Sequence, residues 1–240
     1  MRKSAPTKHA LILRLFNLFF PAHCPVCGKD PDVLNLSPFC SACWSLIAPY
    51  TGPSCRVCAL PLVSEHGRVC GACLKEPPPF SRTLSFGLYD GVLADAINRL
   101  KFFGHRRLSG PLGELLINLD VPQTDGVVPI PLHKKSLRKR GFNQSLLIAR
   151  VIARDMKAPV LMDTLFKIKE TAPQVGLSAQ ERSKNLRNAF AVKGDVKDKR
   201  LLLVDDVMTT GATVRECSKQ LINAGAKDVV VLTLARAGKL

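Results

Sequence analysis

Asp205 and Asp206 stand side by side at the end of an apolar run, in "LLLVDDVMTTGATV", residues 201–214. The run reads as a buried strand, and a helix is expected from about residue 212. A Gly/Thr loop that opens a helix presents main-chain N–H groups and the positive end of the helix dipole, which suits a phosphate. No lysine follows the glycine, so the nucleotide-triphosphate loop pattern fails, and no G-x-G-x-x-G follows a strand. Carboxylates beside such a cradle repel phosphate. They must face something else: sugar hydroxyls, a divalent metal or developing positive charge. A phosphorylated ribose meets all three conditions, with its 5-phosphate in "TTGAT" (Thr209, Thr210, Gly211, Ala212 and Thr213) and its 2- and 3-hydroxyls on Asp205 and Asp206. Two solvated acids at a strand end would account for the acids but not for the loop that follows them.

Eight of the nine cysteines form four C-x-x-C pairs: Cys24 and Cys27, Cys40 and Cys43, Cys55 and Cys58, Cys70 and Cys73. Gaps of 12, 11 and 11 residues separate the pairs. Two thiolates three positions apart on a tight turn can face one ion, and a second pair completes a tetrahedron. Two structural zinc sites are therefore expected, each with its four positions filled by protein. The even spacing permits two successive ribbons or an interleaved pairing of first with third and second with fourth. A disulfide scaffold would need an oxidising compartment. Residues 24–73 hold little else that could form a core, so metal binding is expected to drive folding there. Cys217 stands apart, at helical spacing with Val214 and Leu221, and reads as a plain buried residue.

The elements that must position these groups follow from periodicity. "KEPPPFSR", residues 75–82, reads as a stiff boundary between the cysteine region and the rest. "TLSFGLY" alternates like a strand, and Leu93, Ile97 and Leu100 mark a helix over residues 92–103. "GVVPIPL" is a short strand, "HKKSLRKRG" a basic loop, and "FNQSLLIARVIARDM" a helix with Leu146, Ala149, Ile152 and Ala153 inward. "TLFKIKE" and "DVVVLTLAR" are further strands, the second preceded by Gly225 as a helix stop. Strands alternating with helices predict an α/β fold with a parallel, doubly wound sheet. Ligands bind such sheets beyond the carboxyl ends of the strands, where residues 131–141 and 205–213 fall. The expected division is a helical segment over 1–20, a zinc module over 21–76 and the sheet over 80–240.

The chain carries 35 Lys and Arg against 19 acids, a formal charge of +16. Eight thiolates and two zinc ions would lower that by about 4, leaving a strongly basic protein suited to polyanions. Aromatic residues make up 6% and Trp44 is the only tryptophan, which argues against an extensive base-stacking platform. The apolar stretch over residues 10–24 is too short to span a bilayer and is interrupted by Arg14 and Asn17. No small-residue cleavage site follows it. Leu11, Ile12, Leu15, Phe16 and Phe19 lie at helical spacing, as in an amphipathic helix that packs on its own domain, on a partner or on the inner membrane face. The expected location is the cytoplasm, with a peripheral position at the inner membrane face if that helix docks there.

"LLLVDDVMTTGAT" resembles the PRPP-binding motif of type I phosphoribosyltransferases. The wider chain is similar to the ComF (competence protein F, or ComF/GntX) family. "LFNLFFPAHCPVCG", the C-x-x-C series, "YDGVLADAINRLKFFG", "VPIPLHKKSLRKRGFNQ" and "QVGLSAQERSKNLRNAF" carry that likeness in the family's order. The resemblance implies that Asp205 and Asp206, the catalytic candidates, hold the ribose hydroxyls while residues 209–213 hold the 5-phosphate. It places His133, Lys134, Arg138 and Arg140 on the pyrophosphate side, and a closing loop over residues 171–187 with Gln174, Arg182 and Asn185. Mg²⁺ would bridge pyrophosphate and ribose oxygens. A nucleobase site is not legible: Lys101, Phe102, Phe103 and His105 form no assignable pattern.

Two functions compete. One is a transferase that uses PRPP. The other is an adaptor whose zinc ribbons, helped by the basic face, bind single-stranded DNA, with DNA-uptake machinery as further partners and the PRPP fold regulatory or structural. The family implies a part in natural transformation or the use of external DNA, which fits both.

Overall fold

A computed structural model describes residues 23–33, 36–63, 68–171 and 179–238, with the main chain alone at 179, 180, 182 and 183. The helix expected over residues 1–20 and Gln174 of the expected closing loop lie outside the described residues.

Four strands form one parallel sheet: β1 (Arg82–Leu88), β2 (Gly126–Pro129), β5 (Arg200–Met208) and β6 (Asp228–Arg236), in the order β1-β6-β5-β2. The central strands are apolar on both sides. Leu202, Val204, Val230 and Leu232 face one layer, and Leu201, Leu203, Val229 and Val231 the other. This is the pattern of a parallel sheet covered on both faces. On the first face lie α3 (Gly91–Phe102), α4 (Ser109–Ile117) and α6 (Gln144–Asp155). The second face is covered by α8 (Ala212–Asn223), α7 (Ala179–Leu186) and a small antiparallel pair, β3 (Leu165–Lys167) with β4 (Phe190–Val192). The segment "TLFKIKE" therefore joins a separate two-stranded sheet rather than the main one. Its burial fades along the strand, from Thr164 and Leu165 buried to Ile168, Lys169 and Glu170 exposed, as at a margin rather than in a central strand.

Two local readings change. "KKSLRKR" is a short helix, α5 (Lys134–Arg140), not a loop. His133 caps it by accepting from Lys135 N, and Gly141 ends it at φ 78°. Lysine and arginine are good helix formers, and a side-chain cap with a left-handed glycine supplies both stops. In α6, Ile148 rather than Leu146 is buried, along with Ala149, Ile152 and Ala153. Asn143 caps α6 with its side chain, which accepts from Ser145 N and Leu146 N. The helix thus begins at Gln144, and its buried stripe runs through Ser145, Ile148, Ala149, Ile152 and Ala153.

The cysteine region straddles the β1 edge. Its α1 (Ser41–Trp44) side, with Phe39, joins the core of the first face, and the side of α2 (Gly71–Lys75) joins the second. Tyr50 N donates to Phe86 O at 2.8 Å and Thr83 N to Val57 O at 2.8 Å. The free flank of β1 is thus capped by ribbon main chain, which protects an edge otherwise open to another chain.

Candidate functional site

The acid pair ends β5. Asp205 is 9% exposed and Asp206 2%. Ser145 Oγ, on the first turn of α6, donates to Asp205 Oδ1 at 3.1 Å, and Asp206 N donates to the same oxygen at 2.9 Å. Lys101 Nζ, near the end of α3, lies 2.8 Å from Asp206 Oδ2. Burial opposes charge on all three groups. For Asp206 the ammonium outweighs it, and its pKa falls. The two carboxylates likewise hold Lys101 above its usual value. Burial and then the charge of Asp206 push Asp205 up to about 8, with Lys101 only partly offsetting them. One acid is held ionised while the other favours its proton until a cation or hydroxyl donor arrives.

Beyond the acids the chain turns through Thr209, Thr210 and Gly211 into α8. Gly211 adopts φ 79° as the N-cap. Ala212 N donates to Thr210 Oγ1 at 3.4 Å. A left-handed residue immediately before a helix makes a concave backbone turn of the kind that faces anions.

Acids and loop share one cavity of about 610 Å³. Its rim carries Lys101, Arg140 and Lys167, with Tyr89 and Phe102 on the outer side. Arg140 Nη1 donates to Gln144 Oε1 at 2.5 Å, and Lys167 Nζ to Thr171 Oγ1 at 2.7 Å. Among the residues expected from sequence, Asp205, Asp206, Thr209, Gly211, Ala212, Thr213 and Arg140 line this cavity. Thr210 is exposed beside it. His133, Lys134 and Arg138 do not line it: His133 is spent as the α5 cap, and Lys134 and Arg138 point to solvent from that helix. Arg182's side chain lies outside the described residues. The geometry adds Lys101, Ser145, Gln144 and Lys167. Of these, Ser145 carried a signal, since Asn143 two positions earlier marks a cap that fixes the start of a helix at the sheet's carboxyl end.

The eight cysteines divide into Cys24, Cys27, Cys40, Cys43 and Cys55, Cys58, Cys70, Cys73, with the sulfurs of each set within 4.8 Å of one another. The ribbons are successive, not interleaved. Cys27 Sγ and Cys40 Sγ are 3.6 Å apart, as are Cys58 Sγ and Cys70 Sγ. That is far beyond a disulfide and close to the edge of about 3.8 Å that a tetrahedron of thiolates around zinc requires. Both sets fit structural zinc. Cys217 is fully buried beneath α8 with Val214 and Leu221.

Residues 15–74 match the double zinc ribbon domain, and residues 143–239 match the phosphoribosyl transferase domain. The chain is 33% identical over 229 residues to DNA utilization protein YhgH of Escherichia coli O6:H1, across 91% of this chain and 99% of that protein. It is 32% identical over 232 residues to competence protein F of Haemophilus influenzae, with the same coverage of 91% and 99%. With competence protein ComFC of Streptococcus pneumoniae it shares 31% over 201 residues, 82% of this chain and 87% of that one. Among the described residues no helix is long and apolar enough to cross a membrane. Because the likeness runs through ribbons and sheet alike, over nearly the full length of two of these relatives, the chain belongs to the family of competence protein F and DNA utilization protein YhgH.

Proposed function

We propose that the chain binds PRPP with Mg²⁺ in the cavity at the carboxyl ends of β5 and β2, and acts in the cytoplasm in the uptake or use of external DNA. The observation that carries this is the joining of a buried acid pair and a left-handed anion turn in one cavity with three basic side chains. Asp205 and Asp206 would accept from the ribose hydroxyls, and residues 209–213 would hold the 5-phosphate. Arg140, Lys101 and Lys167 would face the pyrophosphate. Magnesium takes oxygen ligands. Asp206 is already paired with Lys101, so the ion would be held largely by oxygens of the ligand, with Asp205 as the carboxylate left to relieve. Bound there, it would neutralise the pyrophosphate. Departure of pyrophosphate from C1 leaves an oxocarbenium-like centre that nearby carboxylates favour. Titration with Mg²⁺–PRPP tests binding. Changing Asp205 and Asp206 together to Asn should weaken it by roughly 2–4 kcal/mol through loss of charge-assisted bonds. Unchanged affinity would assign the acids to folding alone. Release of pyrophosphate with candidate acceptors measures turnover separately.

A second reading, single-stranded DNA binding, rests on its own observation. Phe102 and Phe103 are 63% and 68% exposed at the end of α3. Arg140 and Lys101 lie over the Phe102 ring at 5.7 and 5.8 Å, and Arg99 over Phe103 at 5.6 Å. Arg106 stacks on Phe142 at 4.7 Å close by. Two exposed rings among guanidinium groups make a short stacking surface. The names of the relatives, which speak of DNA utilization and competence, support the same direction. Phe102→Ala with Phe103→Ala should weaken single-stranded DNA binding; equal binding would remove this surface from the reading.

A further inference from the structure

Arg236 closes β6 and is 5% exposed, and its partners among the described residues are main-chain carbonyls. Nε donates to Cys58 O at 2.9 Å. Nη1 donates to Met208 O at 2.8 Å, to Ala237 O at 2.5 Å and to Thr209 O. One planar fork therefore ties the second zinc knuckle to the two peptide units that open the anion turn. A parallel link runs through β1: Thr83 N donates to Val57 O at 2.8 Å, and Thr83 Oγ1 approaches Met208 Sδ at 3.7 Å. In a trans peptide the C=O and N–H point opposite ways. Holding the carbonyls of Met208 and Thr209 on Arg236 therefore turns the N–H groups of Thr209 and Thr210 away from it. A buried cation behind the turn also favours an anion in front.

We propose that Arg236 is a positioning residue that sets the anion turn against the Cys55–Cys58–Cys70–Cys73 site, so that metal occupancy there governs the order of the turn and its hold on a phosphate. The phosphate half of this rests on the function proposed above; the coupling does not. It explains why the second metal site is joined to the sheet at this strand end.

Amide hydrogen exchange on the full, zinc-loaded chain tests the coupling. In Arg236→Gln, with two zinc ions still bound, exchange of the Ala212 and Arg215 amides, which donate to Thr210 Oγ1 and Gly211 O, should quicken about tenfold or more while residues 201–204 stay protected. Arg236→Lys keeps a charge but not the fork, and should fall between the two; it carries the comparison if the Gln variant does not fold. Chelation should quicken the turn in the wild type and add nothing further in the Gln variant. Equal exchange in wild type and variants, or equal acceleration by chelation in both, would overturn the coupling. Titration with ribose 5-phosphate is the second arm, with affinity about tenfold weaker expected in the Gln variant. A wild type that fails to bind ribose 5-phosphate would sink the phosphate reading, while the exchange arm still decides the coupling.

Discussion

Asp205 shows what the site costs the fold. Its folded pKa lies above that of an exposed aspartate, so the folded chain holds this proton more tightly than the unfolded chain. Stability must then fall as pH rises from about 4 toward about 8, the window between the two values. Asp206 works in a different range. Its folded pKa is depressed, so its contribution is complete above the ordinary carboxylate value and is lost only in stronger acid. The window between pH 4 and 8 therefore separates one acid of the pair from the other. Asp205→Asn keeps the shape and removes the charge. The variant should match the wild type near pH 4 and exceed it by about 1–3 kcal/mol at pH 8, read from urea midpoints across pH. A wild-type curve parallel to that of the variant would mean that Asp205 ionises freely in the fold. A more stable variant with weaker ligand binding is what a functional charge held at the expense of stability predicts.

At the scale of elements, the anion turn depends on a backbone state that few residues adopt. Gly211 sits at φ 79°, and a Cβ placed there would lie 2.6 Å from Met208 Cε. The methionine end can move, so the lasting penalty is the left-handed conformation, about 1–2 kcal/mol for alanine. Gly211→Ala should lower the urea midpoint accordingly with an unchanged m-value; an unchanged midpoint would mean that the turn relaxes freely. This turn was legible in the sequence because its chemistry is local: two acids, threonines and a glycine at fixed offsets after an apolar strand. Strands β5 and β6 were legible for the same reason, as their apolar runs are long and uniform, and β1 was legible by its alternation. What stayed hidden depends on distance along the chain. Lys101 reaches Asp206 across 105 positions, and Arg236 reaches Cys58 across 178. No spacing rule reports such pairs. The α5 helix was missed because clustered charge reads as a loop, although its caps, His133 and Gly141, were both present. The ring of basic groups shifted in the same way. Arg140 reaches the cavity from the last turn of α5, while helical phase turns Lys134 and Arg138 outward.

For the whole molecule, the ribbons are part of the sheet's construction. They cap the β1 edge and supply cysteines and Phe39 to the cores on both faces. Zinc removal should therefore lower the unfolding midpoint of the entire chain and promote self-association through the uncovered edge, seen by light scattering. An unchanged sheet transition after both ions are removed would show that the ribbons are passengers. The same linkage makes deletion of the ribbons a poor way to find a DNA surface, since it disturbs the sheet as well. Point changes separate the alternatives. The formal charge of +16 predicts binding that weakens steeply with salt, as phosphate contacts release counterions. Arg140 and Phe102 belong both to the cavity rim and to the exposed ring pair. If DNA lies there, Mg²⁺–PRPP should compete with it. Phe102→Ala with Phe103→Ala should then cost about 1–3 kcal/mol per stacked base, with little change in the salt slope. Arg138→Gln with Lys139→Gln should instead reduce the slope by about one to two. Competition together with a slope change confined to the charge variants would place DNA at the mouth of the PRPP cavity. Additive binding of both ligands, with neither pair of changes altering DNA affinity, would move it to the ribbons.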